Sequence, residues 1–340
     1  MSIKIAINGF GRIGRTFLRL ALERPEIEVA AINDLGDLDN LAYLLKYDTT
    51  YGKLGKEVGV EKGEKNYLVA GGKKILFLQE KDPAKLPWRD LGIDVAIEST
   101  GVFEKFEDAQ KHIDVGAKRA VISAPGKGDG EGKVGKTVLL GINEDDFKKF
   151  KLTSNGSCTT NAVAPAMAVL CEKIGVKKAV LNTCHALTAS QRIVDGPDTK
   201  DWRRGRAGGY NIVPSTTGAA ISVSRVIEDI NGKFDGLALR VPLITVSIAD
   251  ITFVSSKKTS VEEINDIFRK ASEESRWQGI LGVSDEPLVS SDLKGDTRSA
   301  IVDLTLTKVI DGDLVKVLVW YDNEWGYSWT LVEHVIRCNR

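Results

Sequence analysis

The chain opens on a strand-like alternation, with Ile3, Ile5 and Ile7 on one face and Lys4 and Ala6 on the other. Gly9-Phe10-Gly11-Arg12-Ile13-Gly14 follows at once, and Arg15 to Glu23 changes to helical spacing. A second strand is expected over Ile27 to Ile32, and others over Lys74 to Leu78, Asp94 to Ser99 and Ala120 to Ser123, with helical stretches between them. Strand and helix in alternation predict an α/β domain built on a parallel sheet, with ligands at the C-terminal ends of its strands. Thr100-Gly101 and Ser123-Ala124-Pro125 fall on that edge.

The second half is patterned differently. Thr160 to Lys173 spaces Val163, Met167 and Leu170 as one helical face, with Pro165 expected in the first turn. Ala179 to Cys184 is an apolar run that closes on His185. Ser260-x-x-Glu263 marks a helix start, Leu314 to Tyr321 alternates like a strand, and Trp329, Val332 and Ile336 give the last helix a buried face. The glycine-rich stretch Gly126 to Gly132 is expected to be a mobile surface loop.

These elements give the motifs their meaning. A glycine turn between strand and helix brings backbone amides and a helix N-terminus to a pyrophosphate. Asp34 stands 20 residues after Gly14, at the end of the second strand, where a ribose hydroxyl needs an acceptor. Glycine-rich turns also occur for steric reasons alone, but here strand, helix and acid are all in place. Cys158, in Ser157-Cys158-Thr159-Thr160-Asn161, lies at a helix N-terminus whose dipole favours a thiolate, and an imidazolium nearby would lower the thiol pKa further. A buried structural thiol suits Cys171 and Cys338 better. Of three histidines, His112 falls in a polar helical stretch and His334 in the last helix, so His185 is the candidate base, 27 residues after Cys158. Thiolate, imidazole and dinucleotide together suggest aldehyde oxidation through a covalent adduct. Thr188, Arg203-Arg204-Gly205-Arg206, Thr216-Thr217-Gly218 and Arg240 supply cations and donors for a phosphorylated substrate. Arg240 sits in an apolar run, and its alternative is a buried salt bridge.

Composition narrows the class. At 340 residues two domains are expected, and 47 basic against 47 acidic residues leave no field for nucleic acid or an anionic membrane. No apolar run approaches a membrane span and no basic-then-apolar leader precedes the first strand, so a cytoplasmic protein with reduced thiols is expected. The four cysteines have no metal-like spacing, and no metal is expected.

Nearly end to end, the chain resembles phosphorylating glyceraldehyde-3-phosphate dehydrogenase. The most specific pieces are Ile7-Asn8-Gly9-Phe10-Gly11-Arg12-Ile13-Gly14-Arg15, Ser157 to Asn161, Asp201-Trp202-Arg203 and Trp320-Tyr321-Asp322-Asn323-Glu324-Trp325-Gly326-Tyr327. The resemblance implies a Rossmann-type NAD-binding domain over 1–157, an α+β catalytic domain with a mostly antiparallel sheet over 158–322, and a helix over 323–340 returning to the first. It implies the glycolytic oxidation of glyceraldehyde 3-phosphate by NAD and inorganic phosphate through a cysteine thiohemiacetal and thioester, in a homotetramer. Cys158 would be the nucleophile and His185 the base. Ser157, Thr159, Thr217, Gly218 and Arg240 would form one phosphate site, and Thr188, Arg204 and Arg240 the other. Gly9, Phe10, Gly11, Arg12, Ile13, Gly14, Asp34, Thr100 and Ser123 would hold the dinucleotide, with Lys81 near the adenosine and Asn323 and Tyr327 toward the nicotinamide. The family's frequent second cysteine is Ala162 here, and Leu187, Ser190 and Leu243-Ile244 depart from the usual pattern. Erythrose-4-phosphate dehydrogenase, which shares these motifs, and a catalytically retired redox sensor or scaffold are the alternatives.

Overall fold

The computed structural model describes residues 2–199 and 201–340; Met1 and Lys200 lie outside the described residues. Contacts divide the chain into two units, residues 1–138, 144–156 and 331–340 in the first and 139–143 and 157–330 in the second. The sequence-based boundaries were 157 and 322.

In the first unit the opening alternation is β1 (Ile3–Asn8), whose Ile5, Ala6 and Ile7 are fully buried. Helix α1 (Arg12–Ala21) and strand β2 (Ile27–Asn33) follow. The sheet is completed by β3 (Val58–Glu61), β4 (Asn66–Ala70), β5 (Lys73–Leu78), β6 (Val95–Glu98), β7 (Arg119–Ile122), β8 (Lys136–Thr137) and β9 (Leu152–Ser154), in the order β8-β9-β7-β6-β1-β2-β5-β4-β3. From β8 to β5 every pairing is parallel. The antiparallel strands β3 and β4 extend one edge, which the sequence reading did not anticipate. Glycine and glutamate in Val58-Gly59-Val60-Glu61 dilute its strand signal, and its residues are only half-buried or exposed.

The glycine-rich stretch corrects the expectation of a mobile loop. Phe106 is fully buried, and a Cβ on Gly126 or Gly135 would stand 2.3 Å or 2.2 Å from its ring. Glu131 accepts from the Thr137 backbone and hydroxyl at 2.8 Å and 2.9 Å, closing the loop on itself. These glycines are places where the backbone must lie against an aromatic ring.

In the second unit helix α2 (Cys158–Lys173) starts two residues earlier than its spacing predicts, because the Ser157 hydroxyl caps it by accepting from Thr160 N at 3.0 Å. Pro165 therefore falls in the second turn. Residues from Thr159 to Leu170 are all buried, so α2 is a core helix rather than a striped surface one, and its alanines let neighbours approach closely. The sheet around it contains β10 (Val176–His185), β11 (Val213–Thr216), β12 (Phe234–Arg240), β13 (Ser247–Ser255), β14 (Leu281–Ser284), β15 (Ala300–Ile310) and β16 (Leu314–Tyr321). Their order is β11-β12-β10-β13-β16-β15-β14, with β10/β12 and β14/β15 parallel and the remaining pairs antiparallel. Ser260 caps helix α4 (Val261–Glu273) by accepting from Glu263 N; α3 (Ala219–Val226) lies between β11 and β12. The last helix, α5 (Trp325–Cys338), gives its residues from Leu331 onward to the first unit, where His334 Nε2 lies 2.7 Å from the Thr153 hydroxyl.

Candidate active site

The first unit carries a cleft of about 780 Å³ at the C-terminal edge of its parallel strands, lined among others by Asn8, Gly9, Gly11, Asp34, Lys81 and Thr100. Gly9 has φ of +98°, and a Cβ there would lie 2.5 Å from Thr100 N, so only glycine makes this turn. A Cβ on Gly14 would lie 2.2 Å from Gly9 O, which keeps α1 tight against β1. Gly11 instead faces open space and caps α1 with no side-chain hydrogen bond, so no cap side chain stands between the helix start and an anion. Asp34 accepts from Phe10 N at 2.6 Å and Gly36 N at 2.8 Å, so its carboxylate is fixed at the cleft wall. These residues fit a dinucleotide: a donor end for the pyrophosphate and an acceptor for a ribose.

Other residues of the motif do local work. Phe10 is buried, Ile13 half-buried, and the Arg12 guanidinium pairs with Asp48. Ser123 follows β7, its N–H donating to Glu98 O at 2.9 Å, and is absent from the cleft lining.

In the second unit, Cys158 Sγ lies 3.3 Å from His185 Nε2. The helix start presents the thiol, and β10 ends at the imidazole. Parallel pairing of β10 with β12 makes Arg240 the direct ladder neighbour of His185. Arg240 Nη1 stands 2.6 Å from His185 Nδ1 and 3.2 Å from Ala186 O, and Nδ1 is itself 2.7 Å from Ala186 O. Among the described residues Arg240 makes no ion pair with a carboxylate, so the buried salt bridge is not what holds it. Its Nε is buried without a hydrogen-bond partner, while the buried Nε of Arg204 lies 3.9 Å from the Asp198 carboxylate. A buried, unmet guanidinium donor such as that of Arg240 calls for an oxyanion.

Burial acts on both members of the pair. Burial, reinforced by the Arg240 charge, lowers the His185 pKa to about 3. Burial also pushes the Cys158 thiol up, with Arg240 pulling the other way. Burial therefore disfavours charge on both groups of the pair, while the Arg240 charge favours the thiolate. Cys171 and Cys338 are raised as well, to about 11 and about 12, chiefly by burial. Those values suit packing thiols.

Residues 3–106 match the sequence model "Glyceraldehyde 3-phosphate dehydrogenase, NAD binding domain", and residues 157–323 match "Glyceraldehyde 3-phosphate dehydrogenase, C-terminal domain". Glyceraldehyde-3-phosphate dehydrogenase of Eremothecium gossypii is 47% identical over 98% of this chain and 99% of its own. The chain belongs to the glyceraldehyde 3-phosphate dehydrogenase family. The Geobacillus stearothermophilus enzyme of that name is 47% identical over 98% of this chain and 97% of its own. Glyceraldehyde-3-phosphate dehydrogenase 1 of Kluyveromyces lactis is 45% identical over 98% and 99%. Membership makes the chain an NAD-dependent oxidoreductase.

The remaining site residues of this family member are placed as follows. The Thr159 hydroxyl is buried and lies 2.9 Å from Tyr321 Oη, which also meets Thr183 Oγ1 at 2.8 Å. Ser157 caps α2. Thr188 is in a turn, its hydroxyl against Ser190 and Gln191 at 2.9 Å and 3.0 Å. Gly218 opens α3 and Thr217 precedes it. Val213 pairs with Arg240 and Thr216 with Leu237, so Thr217 lies just past the other end of that ladder, about 13 Å along it. An anion touching both must sit in the span that the Arg240 side chain covers. Asn323 Oδ1 accepts from Ser247 Oγ at 3.0 Å, and Tyr327 is buried.

Two features escaped the sequence reading. Ser247 Oγ, besides holding Asn323, accepts from Ala186 N at 3.0 Å, tying the base's own loop to Asn323. The preceding Val246, buried with φ of +68°, is strained as few β-branched residues are. In the first unit buried Glu98 accepts from Asn8 Nδ2 at 2.6 Å and Thr100 N at 2.8 Å and meets His112 Nε2 at 2.9 Å, while Trp88 Nε1 donates to His112 Nδ1 at 3.0 Å. His112 is thus a packed member of a buried chain beneath the cleft.

Proposed function

We propose that the chain oxidises glyceraldehyde 3-phosphate with NAD and inorganic phosphate to 1,3-bisphosphoglycerate, as a glycolytic enzyme of the cytoplasm. The observation that carries the reading is the contact of Cys158 Sγ with His185 Nε2 at 3.3 Å beside Arg240. The thiol of Cys158 adds to the aldehyde carbon, and its proton passes through His185 to the carbonyl oxygen, leaving a thiohemiacetal. His185 Nε2 then takes the hydroxyl proton as the carbon is oxidised to a thioester. NAD, when bound, supplies the acceptor for the departing hydride. Inorganic phosphate attacks the thioester carbonyl, the carbon–sulfur bond breaks, and Cys158 leaves as thiolate. Arg240, with its unmet donor, and Arg204 neutralise the phosphate groups; Thr188, Thr217 and Gly218 supply further donors, and Asn323 orients the nicotinamide amide.

NADH formation from glyceraldehyde 3-phosphate, followed by absorbance with and without phosphate, tests substrate, cofactor and reaction class together. A rate that does not respond to phosphate, or a preference for erythrose 4-phosphate, would sink the reading.

The same reading includes a homotetramer. Supporting it, Ile193, Tyr210 and Trp202 are 92%, 90% and 86% exposed in the segment after Thr188, a density of bare apolar side chains that suits subunit contact.

A further inference from the structure

The strained Val246 lies between two hydroxyls that reach one turn. Thr245 Oγ1 donates to Asp322 Oδ1 at 3.0 Å and Ser247 Oγ to Asn323 Oδ1 at 3.0 Å, so the neighbours of Val246 hold the two consecutive residues that follow β16. Asp322 is secured further by Glu324 N at 3.0 Å, Trp325 N at 2.9 Å and Gly295 N at 2.8 Å. A β-branched residue keeps φ of +68° only where its surroundings over-determine it, and such strain gathers at working sites.

Ser247 decides which way the Asn323 amide points. A hydroxyl has one proton and two lone pairs, and Ala186 N, donating at 3.0 Å, takes a lone pair. Were the amide turned over, Nδ2 would donate to Oγ as well, and the proton of Ser247, a residue only 1% exposed, would lose the acceptor it has now. With Oδ1 facing Ser247 the hydroxyl is satisfied as donor and as acceptor. Asn323 Nδ2 is then the free end: among the described residues it makes no hydrogen bond, and it is not one of the sealed, unmet polar atoms, so it is open to a ligand. Resting on the function proposed above, we infer that Ser247 is a positioning residue that fixes Asn323 as a hydrogen-bond donor, so that Nδ2 meets the carbonyl oxygen of the nicotinamide amide and the cofactor's own NH2 takes no part in this contact. The chemistry recognised there is a carbonyl on the pyridine ring. A ring substituent that can accept suffices, and one that can only donate does not.

Calorimetry on cofactor-free full-length enzyme tests this with two ligands, NAD and ADP-ribose, which is NAD without its nicotinamide. Ser247→Ala frees the amide to turn, so its Kd for NAD should rise about tenfold, the size of one hydrogen bond, while its Kd for ADP-ribose stays within about twofold of wild type. Asn323→Ala should lose at least as much with NAD, and adding Ser247→Ala to it should cost nothing further, because Ser247 acts through Asn323. A third ligand needs no variant. The 3-acetylpyridine analogue of NAD keeps the carbonyl and lacks the NH2, so wild type should bind it within about threefold of NAD. Unchanged NAD affinity in Ser247→Ala, or an equal weakening for NAD and ADP-ribose, overturns the positioning role. A loss of about tenfold for the acetylpyridine analogue on wild type would show Asn323 accepting rather than donating, and overturns it even if neither variant folds. Unchanged NAD affinity in Asn323→Ala would instead remove Asn323 from the cofactor contact, a failure of the functional reading that the Ser247→Ala result by itself cannot produce.

Discussion

At the scale of single residues, Cys158 and His185 gain their chemistry from burial and from one arginine. With the thiol raised and the imidazole held near pKa 3, iodoacetamide should label free Cys158 slowly at pH 7 and faster as pH rises past the ordinary thiol value of about 8.5. A labelling midpoint below pH 7 would show instead a thiolate–imidazolium pair. Cys158→Ala should lower turnover by at least ~10³-fold, and His185→Asn by ~10²–10⁴-fold, since proton transfer at a positioned base is worth about that much. Arg240→Leu should raise the KM for phosphate about tenfold or more, the size of a lost charge-assisted hydrogen bond. Asp34 poses a specificity question at the same scale. Its carboxylate, fixed by Phe10 N and Gly36 N, would repel a 2′-phosphate, so kcat/KM should favour NAD over NADP by at least ~10-fold, about 1.4 kcal/mol. Equal efficiencies would mean that Asp34 does not face the ribose.

At the scale of elements, the glycines around Phe106 make a sharp case. Gly135→Ala would bring a Cβ to 2.2 Å from the ring and 2.8 Å from Leu152 O, and urea denaturation should show a loss of ~1–3 kcal/mol. Combining it with Phe106→Leu should give a smaller total than the two losses added, because both act on one contact. None of this packing was legible beforehand. The strand–turn–helix opening, the β2 acid and the His185 strand end could be read because each is a local pattern within a few residues. Contacts set by pairing of distant strands could not. Arg240 meets His185 across 55 residues only because β10 and β12 lie parallel and in register. Trp88, His112 and Glu98 likewise come from three separate segments, so the polar stretch around His112 gave no hint of a buried chain. The start of α2 was misjudged by two residues because its cap, Ser157, was read for phosphate chemistry rather than for its hydrogen bond to Thr160 N.

For the whole molecule, burial of neutral histidines sets a response to acid. His185 and His334 both titrate near 3 in the fold, against about 6.5 in an unfolded chain. Between those values the unfolded chain binds protons that the fold does not, so stability is full above about pH 6.5 and falls as pH drops. Two such groups give a slope of about 2.7 kcal/mol per pH unit below pH 6, beyond what the carboxylates add. Urea midpoints across pH 5 to 7 should show it, and His334→Gln should remove about half; an unchanged slope would mean that His334 is charged in the fold. Light scattering at micromolar concentration should give four times the chain mass of 37.0 kDa, and a monomer mass would refute the assembly proposed for the segment after Thr188. The loop over Phe106 has a practical side. Its inward glycines cannot be enlarged, but Lys127, Gly128 and Asp129, like Gly132 and Lys133, are exposed. These outward tips, remote in sequence from Cys158, His185 and Arg240, are where a short inserted epitope or a fluorophore is best carried, leaving both chain ends free.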